Sequence, residues 1–156
     1  MAAGRDICRI LLVATPGGHL MQLMSLQPAW RGLEATWVTL PAADSMRLLD
    51  GENVVMAHGP TCRNVPNLLR NLVLAWHTIR AGDPDVILST GAGLAVPFFV
   101  VGKLLRKRLV YVESLTRVED LALSGTLVYP IADAFFVQWD RAARRRRRAR
   151  FCGSVV

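Results

Sequence analysis

The feature that most constrains this chain is the regular return of short apolar runs rich in β-branched residues, each followed by a stretch of helical character. Ile7–Ala14, Thr36–Leu40, Asn53–Ala57, Asp85–Ser89, Leu109–Glu113 and Ala134–Val137 read as strands. Such alternation builds βαβ units and a mostly parallel sheet. Several runs are apolar on both sides, as strands are when helices cover each face of the sheet. The expected fold is therefore α/β: an open, mostly parallel, Rossmann-like sheet with helices on both faces, formed as a single domain by residues 1–156.

Between the strands, Leu20–Trp30 reads as a helix. Val65–Arg80 has the clearest helical spacing, with Val65, Leu68, Leu69, Leu72, Trp76 and Ile79 expected to face inward. Asn67, Arg70, Asn71, His77 and Arg80 mostly share the opposite side, which Leu74 interrupts. Leu94–Leu105 is apolar nearly all round, which fits a buried helix or one that dips into a bilayer surface. At about twelve residues it cannot span a membrane. Phe151–Val156 reads as a short last strand.

Composition narrows the partners. A chain of 156 residues can bury a core without disulfides or metals. With 52% hydrophobic residues and a mean hydropathy of +0.30 it is far from disordered, and its apolar excess calls for a membrane surface or another protein. The net charge of +7 attracts phosphates, nucleic acid or acidic headgroups. That charge is concentrated in Arg141–Arg150 and in Lys103, Arg106, Lys107 and Arg108. Cys8, Cys62 and Cys152 form no C-x-x-C pair, so neither a disulfide framework nor a zinc site is indicated, and no cofactor is implied. The apolar run Ile10–Ala14 is too short for a signal peptide, and export is not expected.

The chemistry concentrates where strands end. The first strand runs into Thr15-Pro16-Gly17-Gly18-His19-Leu20, a small-residue turn opening onto a helix whose free N–H groups and dipole suit a phosphate or a developing oxyanion. It has neither the spacing of a dinucleotide fingerprint nor the Gly-Lys-Ser/Thr of a P-loop. His19 suits two roles, a general base toward a sugar hydroxyl or a residue packing at a helix start. The fourth strand ends in Ser89-Thr90-Gly91-Ala92-Gly93, either a second wall of the same site or a tight turn. The fifth ends in Glu113-Ser114 with Arg117 close behind. Glu113 could orient a hydroxyl or His19 while Arg117 grips a phosphate, or the two could pair with each other. Aromatics in Ala132–Trp139 read as core, and none interleaves with the arginine run, so single-strand nucleic-acid stacking is poorly supported.

Taken together, PGGHL, STGAGLAVPF, YVESLTRV and LSGTLVYPIADAFFVQW occur in the order found in one family. The chain resembles the asparagine-linked-glycosylation protein fourteen type, the acceptor-side, membrane-docking subunit of a two-subunit N-acetylglucosaminyltransferase, with bacterial relatives in capsule and exopolysaccharide synthesis. The resemblance runs from Ile10 to Val156 and is densest over Ser89–Trp139. It implies the N-terminal half of a GT-B glycosyltransferase, like the acceptor domain of the peptidoglycan lipid-linked GlcNAc transferase.

By that resemblance, catalysis would fall to His19 and Glu113. Gly17, Gly18, Gly91 and Gly93 would line the substrate site with them; the reading of the residues themselves adds Thr90, Ser114 and Arg117 to substrate binding and gives membrane docking to Lys103, Arg106, Lys107 and Arg108. The implied partners are a donor-binding catalytic subunit in a heterodimer, a UDP-sugar and a polyprenyl-diphosphate-linked acceptor. The expected place is the cytoplasmic face of a membrane, held peripherally. Pro16 stands where relatives usually carry Ser or Gly, and the N-terminal anchor of the eukaryotic subunits is missing from this sequence. Two other readings compete with catalysis: a scaffold that recruits the transferase, and nucleic-acid binding through Arg141–Arg150, which requires strong salt dependence.

Overall fold

The computed structural model describes residues 8–155, so Ile7 and Val156, at the ends of two expected strands, lie outside the described residues. Seven strands form one sheet: β1 (Arg9–Val13), β2 (Glu34–Thr39), β3 (Val54–Met56), β4 (Val86–Ser89), β5 (Arg108–Val112), β6 (Ala134–Val137) and β7 (Ala149–Phe151). Their order is β3-β2-β1-β4-β5-β6-β7. Every pairing is parallel. The six expected strands are all present, with ends moved by up to two residues.

The helices between them are α1 (Gly18–Ser25), α2 (Gln27–Trp30), α3 (Ala43–Leu48), α4 (Val65–Gly82), α5 (Ala95–Leu104), α6 (Leu123–Val128) and α7 (Asp140–Arg144). The single helix expected over Leu20–Trp30 is two, because Pro28 in the first turn of α2 has no N–H to continue the ladder. The last strand also comes earlier than expected. Arg148 donates its backbone N–H to the Tyr129 hydroxyl and its guanidinium to the carbonyls of Pro130 and Ala132, so the end of the arginine run is tied beside β6 and becomes β7.

Alternate residues of β1 go to opposite cores. Leu11 and Val13 join Ala75 and Ile79 of α4 and Phe98 and Phe99 of α5, while Ile10, Leu12 and Ala14 join Leu20 and Leu23 of α1 and Trp37 of β2. The first face is well covered, with α4 against α5 and α5 against α6. On the second, an open apolar groove of about 450 Å³ remains between the α1–α2 side and β4 to β6, walled by Leu26, Leu33, Val86, Leu88, Val110 and Phe136.

Helix α4 reverses the expected orientation of much of its surface. Ile79 is buried as anticipated, and Leu68 and Leu72 are partly so, but Val65, Leu69, Val73 and Trp76 face solvent. Asn67 and Asn71 take the inner positions. Asn71 accepts the His58 N–H at 2.9 Å and donates to the His58 carbonyl at 2.8 Å, and Asn67 donates to the Pro60 carbonyl at 3.0 Å. The two amides satisfy the backbone of the turn after β3, a demand that apolar side chains cannot meet.

This inversion gives a checkable contrast. Asn71→Leu removes both partners of the His58 N–H and C=O, at about 1 kcal/mol each, whereas Leu69→Ser at a surface position should change stability by about 0.5 kcal/mol or less. Urea denaturation of the two variants should therefore rank the polar-to-apolar change as the damaging one.

Candidate functional site

In an open parallel sheet, ligands sit beyond the carboxyl ends of the strands where strand order reverses. Here that point lies between β1 and β4, whose chains leave toward helices on opposite faces. The two glycine-rich loops are the segments following those strands. Gly17 has φ +82, a left-handed conformation that a side chain would strain, and both Gly17 and Gly18 border open space. The Gly17 N–H donates to Asp44 Oδ2 at 2.9 Å. Asp44, in the first turn of α3, had no signal in the sequence and reaches this loop only through the fold.

His19, in the first turn of α1, is half-buried against the second loop. Its Nδ1 lies 2.9 Å from the Thr90 carbonyl, and the Thr90 hydroxyl donates to the His19 carbonyl at 2.6 Å. Thr90 is wholly buried, so it does not offer its side chain to a substrate as expected. Gly91, at φ +120, lies under the imidazole: a Cβ there would be 3.0 Å from His19 Cε1 and 3.2 Å from the Tyr111 hydroxyl. Gly93 serves packing, since a Cβ would come within 2.6 Å of the Thr61 carbonyl oxygen.

Glu113 ends β5 with its side chain inside the protein. One carboxylate oxygen accepts the Ser114 N–H at 2.9 Å and the other the Ala122 N–H at 3.1 Å, at the start of α6. A Cβ on Gly125 would run into the second oxygen. Burial raises the proton affinity of this carboxyl, against the two amide bonds and the nearby charges of Arg117 and His19. Burial likewise raises that of the Tyr111 phenol, whose oxygen lies 3.3 Å from Ser124 Oγ. Glu113 thus anchors the loop that follows it, and the partner of His19 Nδ1 is the Thr90 carbonyl. Arg117 is exposed and forms no ion pair with Glu113 among the described residues. Ser114 is half-buried, its hydroxyl 3.0 Å from that of Thr116.

Gln22, one helical turn beyond His19, donates to the Glu113 carbonyl at 3.1 Å, as Gln138 does at 3.0 Å. Trp139 donates its indole N–H to the Leu115 carbonyl at 2.7 Å. The expected docking cations lie elsewhere. Lys103 to Lys107 precede β5 and Arg108 begins it, at the amino edge of the sheet, a strand length of roughly 15 Å from the glycine loops. Two of the four are paired, Lys103 with Asp133 and Lys107 with Asp83. Arg141 and Arg145 pair with Glu119, and Arg145 also reaches Asp120, so much of the arginine run is tied to the protein itself.

The Glu113 geometry predicts two effects. Glu113→Ala leaves two enclosed amides without acceptors and should cost about 1–3 kcal/mol for each. A carboxyl whose folded pKa is raised contributes stability that is complete below its unfolded pKa and is lost as pH rises through the folded value. Glu113→Gln, which does not titrate, should flatten that segment of the stability curve in urea midpoints taken upward from about pH 4.

Comparison with known proteins places this geometry. Residues 54–155 match the family described as oligosaccharide biosynthesis protein Alg14 like. The UDP-N-acetylglucosamine transferase subunit ALG14 of Rattus norvegicus is 37% identical, over 97% of this chain and 85% of the rat protein. Its counterpart in Eremothecium gossypii is 47% identical over 53% of this chain and 38% of its own length. That of Schizosaccharomyces pombe is 33% identical over 83% and 54%. The chain thus spans about half or less of the length of those two fungal relatives. In fold it is similar to MurG of Acinetobacter baumannii, with a TM-score of 0.71 at 16% identity, covering 86% of this chain and 42% of that one. It is also similar to MnaA of S. aureus, solved with UDP, with a TM-score of 0.74 at 14% identity, covering 96% and 44%. The sheet is therefore of the kind found in GT-B glycosyltransferases and UDP-GlcNAc 2-epimerases, and the chain belongs to the Alg14-like family of oligosaccharide biosynthesis proteins.

Proposed function

We propose that this chain is the acceptor-side half of a two-subunit glycosyltransferase. It binds a polyprenyl-diphosphate-linked acceptor, and a donor-binding partner supplies GlcNAc or another hexose from a UDP-sugar. The observation that carries this reading is an open edge: the two glycine loops and His19 come together beyond β1 and β4, with no second wall among the described residues. The match covers 86% and 96% of this chain but 42% of MurG and 44% of MnaA, so each of those folds holds a second half that these residues do not match, which supports the acceptor-side reading. The relatives' designation as transferase subunits supports the class of reaction.

In that reading the acceptor hydroxyl attacks the anomeric carbon as the bond to UDP breaks, and His19 accepts the hydroxyl proton. The exposed N–H groups at the start of α1 and the Arg117 guanidinium face anionic parts of the substrates. Glu113 acts by holding the 114–122 loop. The apolar groove over β4 to β6 is the surface for the partner, whose docking would remove the solvent exposure of Val86, Val110 and Phe136. The purified chain should transfer no sugar alone and should regain activity with the partner. His19→Ala should lower kcat by about 10²–10⁴-fold in the reconstituted pair, with normal assembly; undiminished turnover would make the chain a scaffold.

Peripheral membrane contact belongs on α4 more than on the Lys103–Arg108 turn. Val65, Leu69, Val73 and Trp76 form an exposed apolar stripe, Arg70, His77 and Arg80 lie on the same outward side, and no residue from 53 to 82 is acidic. Headgroup attraction contributes about 1 kcal/mol per nearby cation. Sedimentation with phosphatidylserine-containing vesicles should fall markedly for Leu69→Ser/Trp76→Ser, and it should stay near the parent level when Arg106 and Arg108 become Gln.

A further inference from the structure

We propose that Thr90 is a positioning residue that locks the imidazole of His19 in one tautomer, leaving Nε2 as the proton acceptor at the open edge; this rests on the reading of His19 as base. A carbonyl oxygen carries only lone pairs. The ring nitrogen that meets the Thr90 carbonyl at 2.9 Å must therefore hold the proton. In a neutral imidazole the other nitrogen is then the base. The Nδ1–H form is the one a free histidine side chain populates less, so the protein imposes it.

The lock has two points. The Thr90 hydroxyl also donates to the His19 carbonyl at 2.6 Å, tying the first turn of α1 to the end of β4. With Thr90 wholly buried, its carbonyl and its hydroxyl both bond to His19 and neither reaches substrate. The bare Cα of Gly91 completes the seat. Any Cβ would press on Cε1 and Nδ1 at 3.0 and 3.1 Å and on the Tyr111 hydroxyl at 3.2 Å. The imidazole is thus fixed in height by Gly91, in tautomer by the Thr90 carbonyl and in backbone position by the Thr90 hydroxyl.

The test reads the tautomer directly. In ¹⁵N-labelled full chain, at a pH where the ring is neutral, His19 should show a pyrrole-type Nδ1 and a pyridine-type Nε2; the reverse pattern overturns the proposal without any mutation. In the pair with its partner, Thr90→Val should lower kcat by about 10²-fold with KM little changed, as a misplacement of about 1 Å does. Thr90→Ser, which keeps the hydroxyl, should restore most of the rate. A Thr90→Val chain with parental tautomer and parental kcat refutes the lock. If the tautomer is as stated but His19→Ala turns over normally, the seat stands and the assignment of His19 as base fails.

Discussion

The parallel ladder between β1 and β4 is the constraint on which the site depends. Its register sets Val13 beside Ser89, so the chain segments that follow, Ala14–His19 and Thr90–Gly93, emerge abreast. Because α1 and α5 then turn to opposite faces, neither helix fills the space between the loops. The hydrogen bonds between His19 and Thr90 cross this divide. A one-residue slip in the ladder would exchange the two cores and separate the histidine from its seat.

Glu113 supplies the second fixed point, and its energetics differ from those of the surface charges nearby. A carboxyl kept from water is costly unless its oxygens are bonded, and both of these oxygens meet backbone amides. The result is a loop anchored at residues 113–114 and again at 122, and strapped by Trp139 at Leu115. The ion pairs of Arg141 and Arg145 with Glu119 and Asp120 are exposed and contribute little individually. Between the buried anchors, Arg117 is exposed and has no ion-pair partner among the described residues.

The strands were legible because burial on both sheet faces removes polar residues from them, and that signature survives in a single sequence. The order of the sheet was not legible, although the crevice it creates was anticipated from the placement of glycines after two strands. Helix α4 was legible in extent but not in orientation. Periodicity reports which residues share a side, and the side that faces inward was decided by the backbone of His58 and Pro60, which needed the amides of Asn71 and Asn67. Thr90 was legible as a loop residue at the site. Its role was hidden because half of it runs through a main-chain carbonyl, which every residue possesses. Pro28 carried the break between α1 and α2 openly, and the apolar spacing across it masked that signal.

Two of the apolar surfaces left uncovered among the described residues lie on opposite faces of the sheet. The groove walled by Leu88 and Val110 belongs to the α1 and α2 side, whereas the stripe of Val65, Leu69, Val73 and Trp76 is on α4, whose inner residues Ala75 and Ile79 pack in the other core. A partner seated in the first would therefore leave the second free to meet a bilayer. Since α4 starts at the carboxyl edge, after β3, and ends at the amino edge, before β4, a bilayer along its outer side would run up to the edge where His19 sits. A lipid-linked acceptor could then reach the crevice while its chain stayed in the membrane. Partner docking in the groove and bilayer contact along α4 would therefore not compete, because the sheet lies between the two patches.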